Sequence, residues 1–223
     1  MDRLGPLGGD PAVDRPVDDR LGGAPANVAC GVARLGTPAV FLGRVGDDLI
    51  GKQFVRLFEQ RGVQSSGLQL DPVRPSRIVL VRRSHEGERQ FQGFAGNRGQ
   101  GFADQALAPI SLPRETRWLL VGTIPMATAA SASTLKAALE QARQRQLSIA
   151  LDVNWRPTFW DPEADPASGP STDAIALIRP LLEQATLIKV SREEALWFFA
   201  SEDPAAIQGA LPQLPDVVIT DGA

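Results

Sequence analysis

Side chains on which metal, redox and secreted proteins depend are scarce in this sequence. Its 223 residues include one cysteine, Cys30, and one histidine, His85. A single cysteine can form neither an internal disulfide nor a multi-cysteine metal site, which fits a reducing compartment. Because His85 has no second histidine or cysteine near it, we expect it to be exposed and to belong to no metal site or nucleophilic triad.

Long apolar segments and an excess of positive charge are also absent. The sequence has no uncharged apolar run near the roughly 18 residues of a membrane-spanning helix, and it does not open on an apolar signal segment. Its 23 basic and 26 acidic residues give a formal net charge of −3. That balance leaves no cationic surface for nucleic acid or for an anionic membrane. We therefore expect a cytoplasmic protein whose partners are neither nucleic acids nor membranes.

What the sequence does contain is an alternation of short apolar runs with helical patterns. Its hydrophobic content of 43% is enough for a substantial core. Strands are predicted at 38–45, 118–122, 147–153, 187–190 and 217–220, with helices at 133–146 and 172–184 among those that separate them. Strands that alternate with helices indicate an α/β fold, with a mainly parallel sheet flanked by helices.

The two helices nearest the N-terminus carry different signals. In the first, Val28, Val32 and Leu35 recur at helical spacing, and Gly36 supplies a stop. The second follows Asp47-Asp48, because acidic residues suit a helix N-terminus, and it is predicted to end at Gly62.

One segment departs from the α/β pattern. From 75 to 94, partial apolar/polar alternation on both sides of a turn at Glu86-Gly87 predicts a β-hairpin. We expect a small projecting lid, with lid segments at roughly 3–20 and 75–98 inserted in a single α/β domain over 1–223. No strand is predicted before the Gly/Pro-rich N-terminal stretch and no helix covers the last strand, so the domain is expected to be truncated at both ends, with an incomplete C-terminal part.

The segment that opens the first helix carries the strongest chemical signal. Gly22 and Gly23 allow backbone amides to approach a ligand closely, and a helix N-terminus has unsatisfied N–H groups. Asn27 adds both an acceptor and a donor for hydroxyl groups. These features suit a neutral polyol. The alternative is an ordinary junction between a loop and a helix.

Several linked motifs are similar to those of one protein family. They are Gly22-Gly23-Ala24-Pro25-Ala26-Asn27-Val28-Ala29, Arg34-Leu35-Gly36, Gly43-Arg44-Val45-Gly46-Asp47-Asp48 with Gly51, Gly87-Glu88-Arg89-Gln90-Phe91, Ala103-Asp104, Asp152-Val153-Asn154-Trp155-Arg156 and Lys189-Val190-Ser191-Arg192-Glu193-Glu194. In content, order and spacing they resemble the ribokinase/PfkB family of carbohydrate kinases, and the last two look most like its fructokinase branch. The resemblance covers nearly the whole chain and implies a ribokinase-like fold.

The resemblance also implies a sugar site. Family members bind the sugar with the glycine pair and the helix asparagine, here Gly22, Gly23 and Asn27. They also use an Asp at the end of the first strand, and Asp2 falls at that position if the strand that would precede it has been lost from this chain. By the same resemblance Arg156 and Thr123 are sugar-side residues. Each residue also has a structural explanation. Arg156 could form a surface salt bridge, and the Thr123 hydroxyl could be bonded locally at the end of a strand.

A nucleotide site is implied further along the chain. Ser191 and Glu194 align with the family's Asn-x-x-Glu motif, which helps to place Mg²⁺ and the phosphates of ATP, usually through water. We expect Glu194 to be the metal-side residue, since hydrated Mg²⁺ prefers carboxylates. The alternative is a capping box, in which Ser191 and Glu194 satisfy each other's backbone amides. Thr220 and Gly222 match the start of the family's nucleotide-binding loop.

The implied reaction is transfer of the ATP γ-phosphoryl group to a primary sugar hydroxyl. Relatives supply the base from a Gly-Ala-Gly-Asp segment, which does not occur in these 223 residues. We therefore expect a fructokinase-like phosphotransferase whose base lies beyond residue 223, and a chain that is inactive by itself. Two alternatives remain open: a non-catalytic sugar-binding or interaction protein derived from a kinase, and an unstable remnant.

The acceptor and the oligomeric state are less constrained. Fructose is the expected acceptor, but 2-keto-3-deoxygluconate, ribose and adenosine are handled by relatives on the same scaffold. The hairpin could cover the cleft or pair with a second subunit, so a homodimer through the lid is a further expectation.

Overall fold

The computed structural model describes residues 1–10, 12–85, 89–96 and 100–221. Its strands are β1 (Asp2–Leu7), β2 (Asp18–Arg20), β3 (Ala39–Gly46), β4 (Val63–Asp71), β5 (Val79–Arg83), β6 (Arg89–Phe94), β7 (Trp118–Gly122), β8 (Ser148–Asp152), β9 (Leu187–Ser191) and β10 (Asp216–Thr220). Its α-helices are α1 (Ala24–Arg34), α2 (Leu49–Arg61), α3 (Ala129–Gln144), α4 (Pro157–Trp160), α5 (Thr172–Leu182), α6 (Arg192–Phe199) and α7 (Pro204–Gly209). None of the helices in the described ranges is long and apolar enough to cross a membrane.

The chain divides into two compact units. The first comprises Met1–Ile110 and Thr158–Pro166, and the second comprises Ser111–Pro157 and Ala167–Ala223. Both segments predicted as lid belong to the first unit.

A four-stranded sheet in the first unit, here called the lid sheet, has the order β2, β1, β5, β6. Strands β5 and β6 form the predicted antiparallel hairpin, whose turn at Glu86-Gly87 lies outside the described residues. The sequence does not predict β1, because its Gly- and Pro-containing segment carries little local β signal. Its parallel pairing with the distant β5 brings Leu4, 1% exposed, against Val79 and Val81.

The rest of the first unit packs helices α1 and α2 on the parallel pair β3 and β4. Phe54 and Phe58 of α2 are buried in this core together with Val63. As predicted, Asp48 caps the N-terminus of α2, and Gly62 ends the helix in a left-handed conformation. Strand β4 is a strand that the sequence analysis does not predict, since its polar residues hide the apolar pattern.

The helix α1 is present as predicted, but its large apolar residues do not form its buried face. Val28 is 36% exposed and Leu35 is 86% exposed. The helix packs instead through small residues, with Ala26 buried and Ala29 and Cys30 partly buried against the same core. Small side chains let the helix approach the strands closely, and a pattern of large apolar residues does not reveal such a face.

A polar network joins Gly46, Asp48 and Gly51, the motif residues at the start of α2. The Asp48 carboxylate accepts hydrogen bonds from the Gly51 amide at 2.9 Å and the Ser76 amide at 2.7 Å. The Ser76 hydroxyl accepts one from the Gly46 amide at 3.0 Å. Burial acts to raise the Asp48 pKa, but these hydrogen bonds outweigh it and hold the pKa below its usual value. The motif is therefore a structural knot that ties the start of α2 to the approach to β5.

The second unit contains a four-stranded parallel sheet in the order β10, β9, β8, β7. Each strand occupies an apolar run that the sequence predicts. Helices α3, α5, α6 and α7 separate these strands along the chain, with Ala142, Ile178, Ala195 and Ile207 completely buried. The α/β fold with parallel sheets flanked by helices is thus confirmed.

Candidate functional site

The residues of the first unit that are predicted to bind sugar lie in β1 and at the start of α1. Asp2 begins β1 and lies opposite Arg20 of β2. A Cβ atom at Gly22 would lie 3.2 Å from the Asp2 Oδ2 atom, so the carboxylate sits directly against this glycine. The structure therefore brings Asp2 and Gly22 together, although they are far apart in sequence.

Gly23 and Asn27 complete this corner. Gly23 is the N-cap of α1 with φ 116°, and within the described residues no side chain caps the helix there. The Asn27 amide donates to the Gly23 carbonyl at 3.0 Å, while its side chain is exposed. A carboxylate acceptor, an uncapped helix end and an exposed carboxamide provide acceptors and donors at one place, and polyol hydroxyl groups need both.

Replacing Gly23 by alanine tests how much this junction depends on glycine. A φ of 116° is strained for any residue with a Cβ, so Gly23→Ala is expected to lower the unfolding free energy by about 1–2 kcal/mol. Gly31→Ala, in the interior of α1 with open space around it, is the control and is expected to raise that energy by about 0.5–1 kcal/mol. Urea unfolding measures both, and equal effects would contradict this interpretation of Gly23.

A cavity of about 630 Å³ also lies in the first unit, and none of the predicted sugar residues lines it. Its walls come from the ends of β1 and β2 and from α2, with the polar residues Arg3, Asp19, Asp48, Gln53, Arg56 and Gln60. Arg3 and Asp19 form an ion pair at 2.8 Å, whose hydrogen bond holds the Asp19 pKa below its usual value. Of its polar lining residues, Asp48 alone belongs to one of the motifs quoted above, and its side chain there caps α2.

In the second unit, Ser191 and Glu194 form the capping box that the sequence offers as an alternative. The Ser191 hydroxyl accepts from the Glu194 amide at 3.2 Å, and the Glu194 carboxylate accepts from the Ser191 amide at 2.7 Å. Glu194 is 3% exposed, and its Oε1 atom also accepts from the Trp155 amide at 2.6 Å. Its two oxygens are therefore engaged by backbone amides.

The remaining predicted residues of the second unit have local partners. Thr123 is completely buried, and its hydroxyl donates to the Val153 carbonyl at 2.6 Å, which is the locally bonded alternative. Arg156 donates to the Trp155 carbonyl at 2.7 Å. Thr220 is exposed at the end of β10, and Gly222 lies outside the described residues. The functional roles of these residues stay predictions.

Two ion pairs involve motif residues for which no function is predicted from the sequence. Lys189 and Asp152 are register partners on β9 and β8 and form an ion pair at 3.2 Å. In the first unit, Asp104 accepts from Arg77 at 2.9 Å, and the Arg77 guanidinium lies 4.5–4.7 Å from the ring centres of Phe94, Phe102 and Phe159. Arg77 thereby joins the lid sheet to the segment that contains Phe159. The Ala103-Asp104 motif signals only one half of this contact.

A direct metal site is not assembled in the described part of the chain. No group of three or more His, Cys, Asp or Glu side chains there could hold a metal ion. The Glu194 carboxylate is buried, and each of its oxygens accepts from a backbone amide. It therefore does not fit direct coordination of a metal ion in this arrangement.

The chain is similar to one known protein family along most of its length. The family model described as "pfkB family carbohydrate kinase" matches residues 9–223. The fructokinase of Salmonella typhimurium is 34% identical over 186 residues, covering 82% of this chain and 57% of the relative. Fructokinase-2 of Zea mays is 29% identical over 205 residues, covering 90% and 58%. The chain thus spans about half the length of the curated relatives it matches.

Solved structures of a fructokinase are also similar to this chain. The apo form of fructokinase from Vibrio cholerae O395 matches 100% of this chain and 72% of that chain, with 29% identity and a TM-score of 0.75. The form described as bound to fructose, ADP and calcium ion matches with 26% identity, 68% of that chain and a TM-score of 0.75.

Proposed function

The chain belongs to the pfkB family of carbohydrate kinases, and from that premise we propose that it serves the ATP-dependent phosphorylation of a sugar hydroxyl, with fructose as the acceptor. The observation that carries this proposal is the corner formed by Asp2, Gly22, Gly23 and Asn27. It places a carboxylate acceptor beside an uncapped helix N-terminus and an exposed carboxamide. Fructokinases among the relatives, and a neighbour bound to fructose and ADP, favour fructose over other sugars.

In this proposal the first unit binds sugar hydroxyl groups. The Asp2 carboxylate accepts hydrogen bonds, the amides near Gly22 and Gly23 donate them, and Asn27 does both. Because the family match begins at residue 9, the role of Asp2 is supported by its position against Gly22. Arg156 and Thr123 are the proposed sugar-side residues of the second unit.

The nucleotide half of the proposal concerns the second unit. Ser191, Glu194, Thr220 and Gly222 are the proposed nucleotide-side residues, and Mg²⁺ is the proposed metal that accompanies ATP. When bound, Mg²⁺ would neutralise phosphate charge. Glu194 does not fit direct coordination of this metal, because both of its oxygens accept from backbone amides. A homodimer through the lid sheet remains a proposal, with β2 and β6 as the edges of that sheet.

Asn27→Ala tests the sugar site. Loss of its hydrogen bonds to the sugar is expected to weaken fructose binding by about 1–3 kcal/mol, which is roughly tenfold or more in Kd. Calorimetric titration of the chain with fructose measures the change. Gln64→Ala, which removes an exposed carboxamide on β4, is the control and is expected to leave Kd unchanged. Equal affinity of Asn27→Ala and the unsubstituted chain would place the sugar elsewhere.

A non-catalytic sugar-binding protein is the alternative, and the same titration separates the two. Sugar binding without any ATP or ADP binding would favour that alternative. Binding of both ligands favours the kinase.

A further inference from the structure

Glu194 holds together two segments of the second unit that are far apart in sequence. One of its carboxylate oxygens accepts from the Ser191 amide at 2.7 Å, at the N-terminus of α6. The other accepts from the Trp155 amide at 2.6 Å, in the segment that follows β8. Because Glu194 is only 3% exposed, both bonds are shielded from water.

The segment that Glu194 holds has an unusual backbone. Asn154, immediately before Trp155, has φ 44°, a left-handed conformation that residues with a Cβ adopt infrequently. Such a conformation persists when its surroundings fix it. On its N-terminal side, the Val153 carbonyl accepts from Thr123 and the Val153 amide donates to Lys189. The bond from the Trp155 amide to Glu194 fixes the other side.

The same peptide segment carries Arg156. The Arg156 guanidinium donates to the Trp155 carbonyl at 2.7 Å, and the Trp155 indole donates to the Ser168 carbonyl at 2.9 Å. The direction of Arg156 therefore depends in part on the placement of the Trp155 backbone, which the bond to Glu194 helps to fix. A charge-assisted hydrogen bond in a buried site is among the stronger ways to set such a backbone position.

We propose that Glu194 is a positioning residue for Arg156, so that it controls sugar affinity in the absence of nucleotide and metal. This inference rests on the proposed function, in which Arg156 is a sugar-side residue. This role differs from holding a metal ion. The bond to the Ser191 amide fixes the Glu194 carboxylate at the start of α6, and the bond to the Trp155 amide connects it to the segment that carries Arg156.

The test is calorimetric titration with fructose in buffer that contains no nucleotide and no divalent cation. Glu194→Gln keeps the size of the side chain but replaces one acceptor oxygen by a donor, which would face a backbone amide. We expect it to weaken fructose binding about tenfold. The matched control is Glu193→Gln, which removes the same charge from the neighbouring exposed position, and its affinity is expected to stay within twofold of the unsubstituted chain.

Two further variants separate positioning from a general loss of structure. Arg156→Met is expected to weaken binding to the same extent as Glu194→Gln. The double variant is expected to bind no more weakly than either single one, because both changes remove one arrangement. Additive losses would overturn the proposal. Unchanged affinity of Arg156→Met overturns the proposal as well. If Glu194→Gln does not fold, Glu194→Asp takes its place, because the shorter side chain withdraws its oxygens from the Trp155 amide, and unchanged affinity of that variant overturns the proposal.

Failure of this inference and failure of the proposed function give different results. If the unsubstituted chain binds no sugar, the proposed function is wrong. If that chain binds fructose and Glu194→Gln binds it equally well, the sugar site stands and the positioning role is overturned. A role of Glu194 restricted to nucleotide and metal predicts this second result.

Discussion

Replacing Gly51 by alanine is expected to unfold the region around α2. A Cβ atom at this position would lie 1.9 Å from the Gly46 carbonyl oxygen and 3.2 Å from the Gly46 carbonyl carbon. Because the obstacle is backbone, no side-chain rotation can relieve the contact, and α2 must move away from β3. We expect the unfolding free energy to fall by about 3 kcal/mol or more.

The loss is this large because the movement also breaks the structural knot. The Gly51 amide donates to Asp48, which in turn binds the Ser76 amide and hydroxyl. Urea unfolding followed by circular dichroism measures the effect. The control is Gly31→Ala, the same substitution within α1 where the added Cβ meets no atom within 4 Å in the described part of the chain. Equal stability of Gly51→Ala and the unsubstituted chain would contradict this account of the motif.

The second large effect concerns catalysis: these 223 residues by themselves are expected to transfer phosphoryl groups far more slowly than a typical kinase. The family resemblance implies that a Gly-Ala-Gly-Asp segment supplies the base and charge-stabilising amides, and these residues do not contain that segment. A general base contributes typically 10²–10⁴-fold, and an oxyanion-type donor contributes about 10²–10³-fold. Their combined absence should lower turnover by roughly 10⁴–10⁷-fold.

An assay that couples ADP release to a reporter enzyme, with fructose and MgATP, measures this turnover. The Salmonella typhimurium fructokinase serves as the positive control. Kinases typically turn over at about 1–100 s⁻¹. Turnover by the 223-residue chain in that range would mean that its own residues supply the base, and it would contradict the prediction that they lack one.

The sequence predicts the parts of the fold that depend on local pattern. The strands of the second unit are continuous apolar runs, and the capping box of Ser191 and Glu194 spans three positions of one turn. Strand β1 is different, because it becomes a strand through pairing with β5, more than seventy residues away. The small-residue face of α1 is hidden for another reason, since the larger Val28 and Leu35 dominate the apolar pattern while remaining exposed.

The candidate site also contains some features that follow from local sequence and others that depend on the folded chain. Gly22, Gly23 and Asn27 follow from one motif, because the chemistry of a helix N-terminus is local. The contact between Asp2 and Gly22 and the bond between Glu194 and the Trp155 amide join segments that only the folded chain brings together. The motif therefore predicts which residue types are present, and the fold decides what Glu194 contacts.

The measurement that tests the central claim most directly is calorimetric titration of the unsubstituted 223-residue chain with fructose. The account predicts saturable heat of binding that Asn27→Ala weakens roughly tenfold or more and Gln64→Ala leaves unchanged. A chain that is folded by circular dichroism yet gives no heat of binding with fructose would contradict the assignment of the Asp2, Gly22, Gly23 and Asn27 corner as the site of this sugar.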